Sequence, residues 1–231
     1  MRHFNKSKTI PATLQKAPIP TSASQVDPAI YKASDVKEQL LKDQAYKCAY
    51  CEKKVEGAYD DVEHYRPKNQ YHWLGHDWKN LLFACTICNR SYKKTNFPLA
   101  DETKRSIDTH DISKEEPLII NPSTESPSNY IVYNQHIMQP RIINGKESLK
   151  GKYTIELFKL NDRNVIVEER RALYESYNSA IGKKHIAEQL LLKTGLPDEV
   201  YAYAQQLIAS CNSDIIRMQS PETPYSGMLI I

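Results

Sequence analysis

Residues 48–89 have the sequence CAYCEKKVEGAYDDVEHYRPKNQYHWLGHDWKNLLFACTICN, and this segment determines the predicted fold. It carries a C-x-x-C pair near each end, formed by Cys48, Cys51, Cys85 and Cys88. Paired thiolates at this spacing suit tetrahedral zinc, whereas disulfides do not persist in a reducing cytosol. We therefore expect these four cysteines to hold a structural Zn²⁺ ion. A disulfide or a redox-active C-x-x-C pair is the alternative.

Between the pairs lies the run DDVEHYRPK, residues 60–68, which has the residue types that phosphodiester hydrolysis needs. An imidazole of near-neutral pKa can take a proton from water at cytosolic pH, and carboxylate and amide oxygens are hard ligands for Mg²⁺. His64 is therefore the candidate general base, and Glu63 is a candidate ligand of a catalytic divalent ion. Asn89 directly follows the last cysteine, so zinc would fix its backbone near the same point. Lys93 shares a predicted helix face with Asn89 and can meet a phosphate.

These residues also have structural explanations. Glu63 can simply pair with Arg66 or Lys68. His72 and His76, in the loop YHWLGHDW, are alternative bases, although packing and hydrogen bonding within the loop explain both more simply. Basic residues around the run suit phosphate binding, and a solvated basic face explains any one of them nearly as well. The basic residues are Arg66, Lys68, Arg90, Lys93 and Lys94.

Length and composition are those of an ordinary globular protein. The chain has 231 residues, of which 40% are hydrophobic and 26% charged, and its net charge of +3 is too small to indicate nucleic-acid binding by itself. No apolar run approaches the roughly 20 residues of a membrane helix, and the first residues lack the apolar core of a signal peptide. We therefore expect a cytoplasmic protein without a membrane partner. There is no G-x-x-x-x-G-K-[ST] phosphate loop, so ATP hydrolysis is not encoded in a recognisable form.

The texture of the sequence divides the chain into three regions. Residues 1–33 are rich in Pro, Ser and Thr and predict an extended N-terminal arm. Its first 20 residues carry basic side chains and no acid, which suits either contact with phosphate or a solvated basic tail. The zinc module is predicted to span residues 34–100. A helix starts after Ser34 as N-cap, strands lie near 59–64 and 81–83, and a second helix carries the last cysteine.

Residues 101–231 form the third region. The runs PLIINP, NYIVYN and KYTIELFKL are rich in β-forming residues and are separated by turn signals. Helices are predicted at 164–193 and from 198 to 211, where the remaining Cys211 suits a small buried residue. The apolar end, 228–231, predicts docking on this protein or on a partner.

The order of the motifs CAYC, EHYRP, NLL and CTICN resembles the HNH endonuclease family. The resemblance implies a ββα-metal fold with a structural zinc and a separate catalytic Mg²⁺ or Mn²⁺ ion. It implies His64 as general base and Glu63 and Asn89 as ligands of the catalytic metal. It also implies that Asn80 orients the loop that carries the histidine.

A longer set of runs is similar to the PtuB subfamily, the HNH nuclease subunits of Septu anti-phage systems and of some retrons. These runs are CAYCEKKV, VEHYRPK, NLLFACTICN, FPL, PLIINP and TIELFKLNDRNVIVEERR, within about residues 1–175. The resemblance implies a nuclease that works with an ABC/SMC-like (PtuA-like) ATPase. In some systems a retron reverse transcriptase and its RNA–DNA hybrid are further partners. The missing phosphate loop agrees with an ATPase on a separate chain.

Two departures from the family pattern affect the site. Many HNH proteins have Asp where this chain has Glu63, and Asp61 is a rival ligand that lies on the same side of an ideal strand. His64 points to the other side, so the strand must end or twist near residue 63. Lys93 lies one residue later than in the N-x-x-K spacing common in the wider family.

We therefore predict an α+β protein with a zinc-stabilised ββα-metal nuclease module at 34–100. A mixed β-rich and helical region at 101–231 follows and is the predicted docking region for a partner. The predicted activity is metal-dependent hydrolysis of phosphodiester bonds, with DNA favoured as substrate and RNA, including tRNA, left open. The alternative is a non-catalytic zinc-finger adaptor that binds nucleic acid or an ATPase. Such an adaptor needs the four cysteines but has no use for a base beside hard metal ligands.

Overall fold

The computed structural model describes residues 1–56, 60–107 and 109–230 of the chain. Its helices are α1 (Ala12–Gln15), α2 (Pro28–Tyr31), α3 (Ser34–Asp43), α4 (Leu149–Leu157), α5 (Asn164–Leu191) and α6 (Asp198–Gln219), with a π-helix at Ile87–Lys93. Its strands pair antiparallel as β1 (Asp61–His64) with β2 (Leu81–Ala84), β3 (Ile131–Asn134) with β4 (Ile137–Pro140), and β5 (Ile142–Ile143) with β6 (Lys146–Glu147). The predicted α+β class is confirmed.

The centre of the fold is the β1–β2 hairpin followed by the π-helix. Asp61 lies opposite Ala84 and His64 opposite Leu81. Every residue of both strands is buried, including the polar residues of β1. The predicted second strand is confirmed. The predicted first strand is found at Asp61–His64, and Tyr59, at its expected start, lies outside the described residues.

The N-terminal segment packs against this unit. Met1, Leu14, Val26 and Tyr31 are buried in the main hydrophobic core. The Lys6 ammonium lies 4.1 Å from the centre of the Trp78 ring, and burial lowers the pKa of Lys6 to about 7. The expectation of an arm that lies against phosphate is therefore wrong for this lysine, because its amine nitrogen donates to the carbonyl oxygens of Trp78 and Leu81.

One predicted strand is a helix. The run KYTIELFKL lies mostly in α4, where Ser148 caps the first turn by accepting a hydrogen bond from the backbone N–H of Gly151 at 3.1 Å. Residues 151, 154, 155 and 158 are buried, which is the i, i+3, i+4, i+7 spacing of a helix face. A Cβ at residue 151 would lie 2.1 Å from the carbonyl oxygen of Tyr130, so this close packing requires glycine. The β-branched residues of the run misled the prediction because burial of one face outweighs intrinsic propensity.

The C-terminal region is a helical hairpin. Helix α5 is found close to the predicted bounds, and Gly195, with a φ of +75°, lies in the connection. Helix α6 continues to Gln219, well beyond the predicted end, and it buries Cys211 as expected. No helix among the described residues is both long and apolar enough to cross a membrane.

The apolar chain end packs on this hairpin. Met228 and Leu229 are buried and form a small cluster with Ala180 of α5 and Met218 of α6. Of the two alternatives for the tail, the structure shows packing on this protein, and Ile231 lies outside the described residues. The main core includes buried residues from Met1 to Ile166 and also Tyr225, so it crosses both suggested region boundaries. The division into three regions stays a prediction.

Candidate active site

The four predicted cysteines come together as one buried cluster. Their sulfur atoms all lie within 4.8 Å of one another, and Cys51 Sγ is 3.8 Å from Cys85 Sγ. Tetrahedral zinc with Zn–S bonds of about 2.3 Å would separate its sulfur ligands by about 3.8 Å. The cysteines form no disulfide. The donor set and its spacing therefore fit a structural zinc ion.

The cluster joins the elements that carry the candidate site. Two of its cysteines follow α3, one directly follows β2, and the fourth lies in the π-helix next to Asn89. The buried side chain of Gln44 strengthens this junction. Its amide donates to the carbonyl groups of Lys47 and Phe83, both at 2.8 Å, and it accepts from the N–H of Phe83 at 2.8 Å. Gln44 was not predicted from the sequence, since a lone glutamine at a helix end gives no signal.

A cavity of about 320 Å³ lies beside the zinc cluster, between β1, the end of α2 and the π-helix. It brings together most of the predicted site residues and the rival ligand Asp61. Its polar lining includes Asp61, Glu63, His64, Asn89, Lys68, Arg90 and Lys94. Tyr31 and Lys32 also line it. Neither residue was predicted from the sequence, because both lie at the end of a short helix inside the presumed arm. The Asp27-Pro28 helix start is the signal that could have indicated them.

His64 is held in a defined orientation and tautomer. Its Nε2 lies 2.9 Å from the carbonyl oxygen of Gly75, and a carbonyl can only accept, so Nε2 carries the hydrogen and Nδ1 has the free lone pair. The Tyr31 ring meets the imidazole edge-on at 4.6 Å. A Cβ at residue 75 would lie 2.6 Å from the methyl carbons of Val26. Glycine at this position therefore permits the backbone of residue 75 to approach the Val26 side chain closely. Burial lowers the pKa of His64 to about 4, and the ring is neutral at pH 7.

Asn80 braces the loop that follows the histidine. Its Oδ1 accepts from the N–H of Arg66 at 2.8 Å, and its Nδ2 donates to the carbonyl groups of Arg66 and Leu74, both at 3.1 Å. Leu74 precedes the glycine that holds the imidazole. This geometry suits the predicted role of Asn80 in orienting the histidine loop.

Glu63 forms a buried ion pair. Its Oε1 lies 2.6 Å from Lys93 Nζ, and the same ammonium donates to the carbonyl oxygen of His64 at 2.9 Å. Burial raises the pKa of Glu63, although Lys93 acts in the opposite direction. The Lys93 side chain is 0% exposed. Lys93 therefore has no surface for a phosphate, which corrects that prediction, and one oxygen of the predicted ligand Glu63 is already taken.

The π-helix accounts for the unusual position of Lys93. The N–H of Lys94 donates to the carbonyl oxygen of Asn89 at 2.8 Å, which is an i→i+5 bond. A π-turn accommodates one residue more than an α-turn. The additional residue before Lys93 is absorbed in this way, and the ammonium still reaches β1.

Asp61 forms the second ion pair of the cavity. Arg90 donates to its two carboxylate oxygens at 2.6 and 2.7 Å, and this pairing lowers the pKa of Asp61. The Asn89 side chain also hydrogen-bonds this carboxylate. The Arg90 side chain is 63% exposed, in contrast to that of Lys93. Asp61 and Asn89 are thus hydrogen-bonded neighbours in the cavity, and the exposed Arg90 side chain is paired with the Asp61 carboxylate.

Three further candidates are engaged elsewhere. Arg66 pairs with the buried Glu115 at 3.0 Å and does not line the cavity, so the structure separates it from the other predicted phosphate contacts. His76 uses both ring nitrogens, since Nδ1 lies 2.9 Å from the Pro18 carbonyl oxygen and Nε2 accepts from the N–H of Asp27 at 3.1 Å. The ring of His72 contacts Trp73 and His110. The packing explanation therefore suits both alternative bases.

The family model described as HNH endonuclease matches residues 48–95, from the first zinc cysteine to just past the π-helix. In the structure, this segment contains a ββα unit with a histidine on its first strand, and the four-cysteine cluster lies beside the unit. This is the geometry that the HNH resemblance implied. The chain is thus an HNH-type nuclease.

Relatives extend the match beyond this unit. The "Septu protein PtuB" of Bacillus mycoides (strain KBAB4) is 32% identical over 223 residues, which cover 86% of this chain and 73% of the relative. A second "Septu protein PtuB", from Bacillus thuringiensis, is 38% identical over 58% of this chain and 44% of its own length. The "Septu protein PtuA" of B. mycoides (strain KBAB4) is 29% identical over 58% of this chain and only 20% of its own length. The chain belongs to the PtuB family.

Proposed function

We propose that this chain is the metal-dependent endonuclease of a Septu-type anti-phage defence system, and that it hydrolyses phosphodiester bonds of DNA. The observation that carries the proposal is the meeting of a buried, neutral histidine with hard oxygen ligands in one cavity that has a basic lining. RNA remains a second substrate class, since attack of water on a phosphate does not require a 2′-hydroxyl group.

His64 acts as the general base in this proposal. Its Nδ1 lone pair accepts a proton from the attacking water while Nε2–H stays bound to the Gly75 carbonyl group. The low pKa keeps the imidazole unprotonated at pH 7, and a phosphate in the cavity would raise that pKa toward the range that suits a base. Asn80 is a positioning residue, because it acts through the loop and not on the substrate.

Asn89 and Asp61 are the proposed ligands of the catalytic Mg²⁺ or Mn²⁺ ion. When bound, this ion neutralises the charge that develops on the phosphate and on the leaving oxygen. The sequence analysis favoured Glu63, but opening its buried pair with Lys93 would leave an uncompensated charge in the interior. Opening the pair of Asp61 with exposed Arg90 costs little. Glu63 then has a structural role, in which its ion pair with Lys93 holds β1 against the π-helix. It becomes a metal ligand only if Lys93 is displaced.

The basic side chains at the cavity position the nucleic acid. Lys68, Arg90 and Lys94 line it, and Lys32 adds a fourth positive charge. Contacts of this kind fix the register of a phosphate backbone but carry no base specificity. This lining supports a nuclease that recognises the backbone, with sequence preference left to other surfaces.

An ATPase of the PtuA type is the proposed partner. A PtuA relative matches this chain over a fifth of its own length, so a segment like this one occurs within a chain of that name. The missing phosphate loop agrees with a separate ATPase. The α5–α6 hairpin is the proposed docking surface, because Ile186, Leu192, Tyr203 and Ile216 leave most of their apolar side chains exposed there.

The test is cleavage of plasmid DNA and of RNA by the zinc-loaded chain, alone and with the co-expressed PtuA-type ATPase. Cleavage of DNA that needs added Mg²⁺ or Mn²⁺ and stops with a chelator is the expected result. Retention of the ATPase without any metal-dependent cleavage, in either assembly and on either substrate, would favour the adaptor alternative.

A further inference from the structure

The residue before α5 contacts the zinc cluster. Arg163 Nη1 lies 3.2 Å from Cys88 Sγ, and its guanidinium lies 5.7 Å from the centre of the Tyr92 ring in the π-helix. Arg163 belongs to the run LNDRNVIVEERR, far from the four cysteines in sequence. The proposed nuclease site does not use it.

A zinc ion with four thiolate ligands carries a net negative charge, and burial makes that charge costly unless a cation or hydrogen-bond donor compensates it. An arginine N–H donor on a ligand sulfur supplies both. We infer that Arg163, which lies outside the zinc module, is a positioning residue of the zinc site. It stabilises the Cys88 thiolate and slows the loss of zinc.

Neighbouring residues of the run hold Arg163 in place. Asn161 donates to the carbonyl oxygen of Met138 at 2.8 Å and accepts from its N–H at 3.1 Å, which ties the segment to β4. Arg170, one per cent exposed, donates to the carbonyl oxygen of Leu160 at 2.8 Å. The start of the long helix is thereby fixed to the chain segment that reaches the zinc ligand. The contact between Arg163 and Cys88 therefore links the zinc site to the start of α5.

The test compares full-length wild-type protein with Arg163→Met and Arg163→Lys. Arg171→Met is the matched control, since Arg171 lies on α5, is half exposed and pairs with Glu168 at 3.2 Å. The measurement is the rate of zinc release to a chromogenic chelator under native conditions, together with zinc content and thermal unfolding. Replacing a partner of a metal ligand typically costs 10–100-fold in metal affinity, so Arg163→Met should release zinc about tenfold faster than wild type and control. Arg163→Lys should restore part of the difference because it keeps the charge.

A purely structural role predicts a different outcome. If Arg163→Met unfolds at a lower temperature but releases zinc in the native state at the wild-type rate, the inference is wrong. If Arg163→Met does not fold, Arg163→Gln keeps most of the volume and an N–H donor while it removes the charge. Release from that variant several-fold faster than wild type supports the inference, and release at the wild-type rate overturns it. The inference needs no nuclease activity, so its failure is distinguishable from failure of the proposed function.

Discussion

Arg90 holds the carboxylate of Asp61 by two hydrogen bonds of 2.6 and 2.7 Å at the mouth of the candidate active site. A cation of the protein thus occupies the oxygen atoms that we propose as ligands of the divalent metal. The arginine side chain is mostly exposed and can exchange this partner for a phosphate of the substrate. Arg90 therefore has two expected effects of opposite sign.

Replacement of Arg90 by alanine separates these effects. Arg90→Ala should lower the Mn²⁺ concentration for half-maximal cleavage a few-fold, because the competing guanidinium is gone, and should raise KM for the nucleic acid. Metal titrations at saturating DNA and DNA titrations at saturating metal measure the two. Arg217→Ala is the control, since Arg217 is also exposed and pairs with an aspartate, Asp214, but lies on α6. A rise in the metal requirement of Arg90→Ala would contradict the proposed competition.

The buried pair of Glu63 and Lys93 predicts a stability effect. Glu63→Gln should lower the free energy of unfolding by about 3–5 kcal/mol, because it leaves the Lys93 ammonium buried without a carboxylate. The double variant Glu63→Gln/Lys93→Met should recover much of this loss, since neither charge then remains. Denaturant titrations of Glu63→Gln, Lys93→Met, the double variant and wild type form a double-mutant cycle. Additive losses in the cycle would show that the two side chains are not coupled.

His64 predicts how stability changes with pH. Its pKa is about 4 in the folded protein against an ordinary value of 6.5, so between these values the unfolded chain binds a proton that the folded protein does not. The stabilising contribution of the neutral ring is complete above pH 6.5 and is lost as the pH falls toward 4. Between pH 7 and 5 the wild type should lose about 2 kcal/mol more unfolding free energy than His64→Asn. Equal losses, with zinc content unchanged in both proteins, would contradict a buried neutral histidine.

The zinc cluster predicts that loss of one thiolate ligand unfolds the whole zinc module. Cys85→Ser should lose zinc and unfold the β1–β2 hairpin and the π-helix, because structural zinc contributes on the order of 10 kcal/mol to small modules. Zinc analysis and hydrogen exchange of residues 61–93 measure this. Cys211→Ser is the control, since that cysteine is buried in α6 away from the cluster. Wild-type protein that purifies without zinc would overturn the assignment.

The sequence predicted the zinc cysteines, the second strand and the long helix, because spacing and periodicity are local signals. The strand predicted at 152–160 is wrong, because the β-branched residues of this run lie on the buried face of a helix and tertiary packing outweighs their intrinsic β propensity. The sequence also could not show that Lys93 is buried, since the π-turn that redirects its side chain has no sequence signature. Tyr31 and Lys32 were missed because only the folded N-terminal segment brings them to the cavity. Contacts between distant segments, such as Arg163 with Cys88, depend on the whole fold.

The most direct test of the proposed active site is the single-turnover cleavage rate of His64→Ala, measured in the assembly that is active for wild type. The rate should fall by roughly 10²–10⁴-fold, the usual contribution of a general base, while zinc content and partner binding stay at wild-type levels. His76→Ala serves as the control, because both of its ring nitrogens are engaged by the N-terminal segment. Cleavage by His64→Ala at the wild-type rate, or loss of cleavage in His76→Ala alone, would contradict the account.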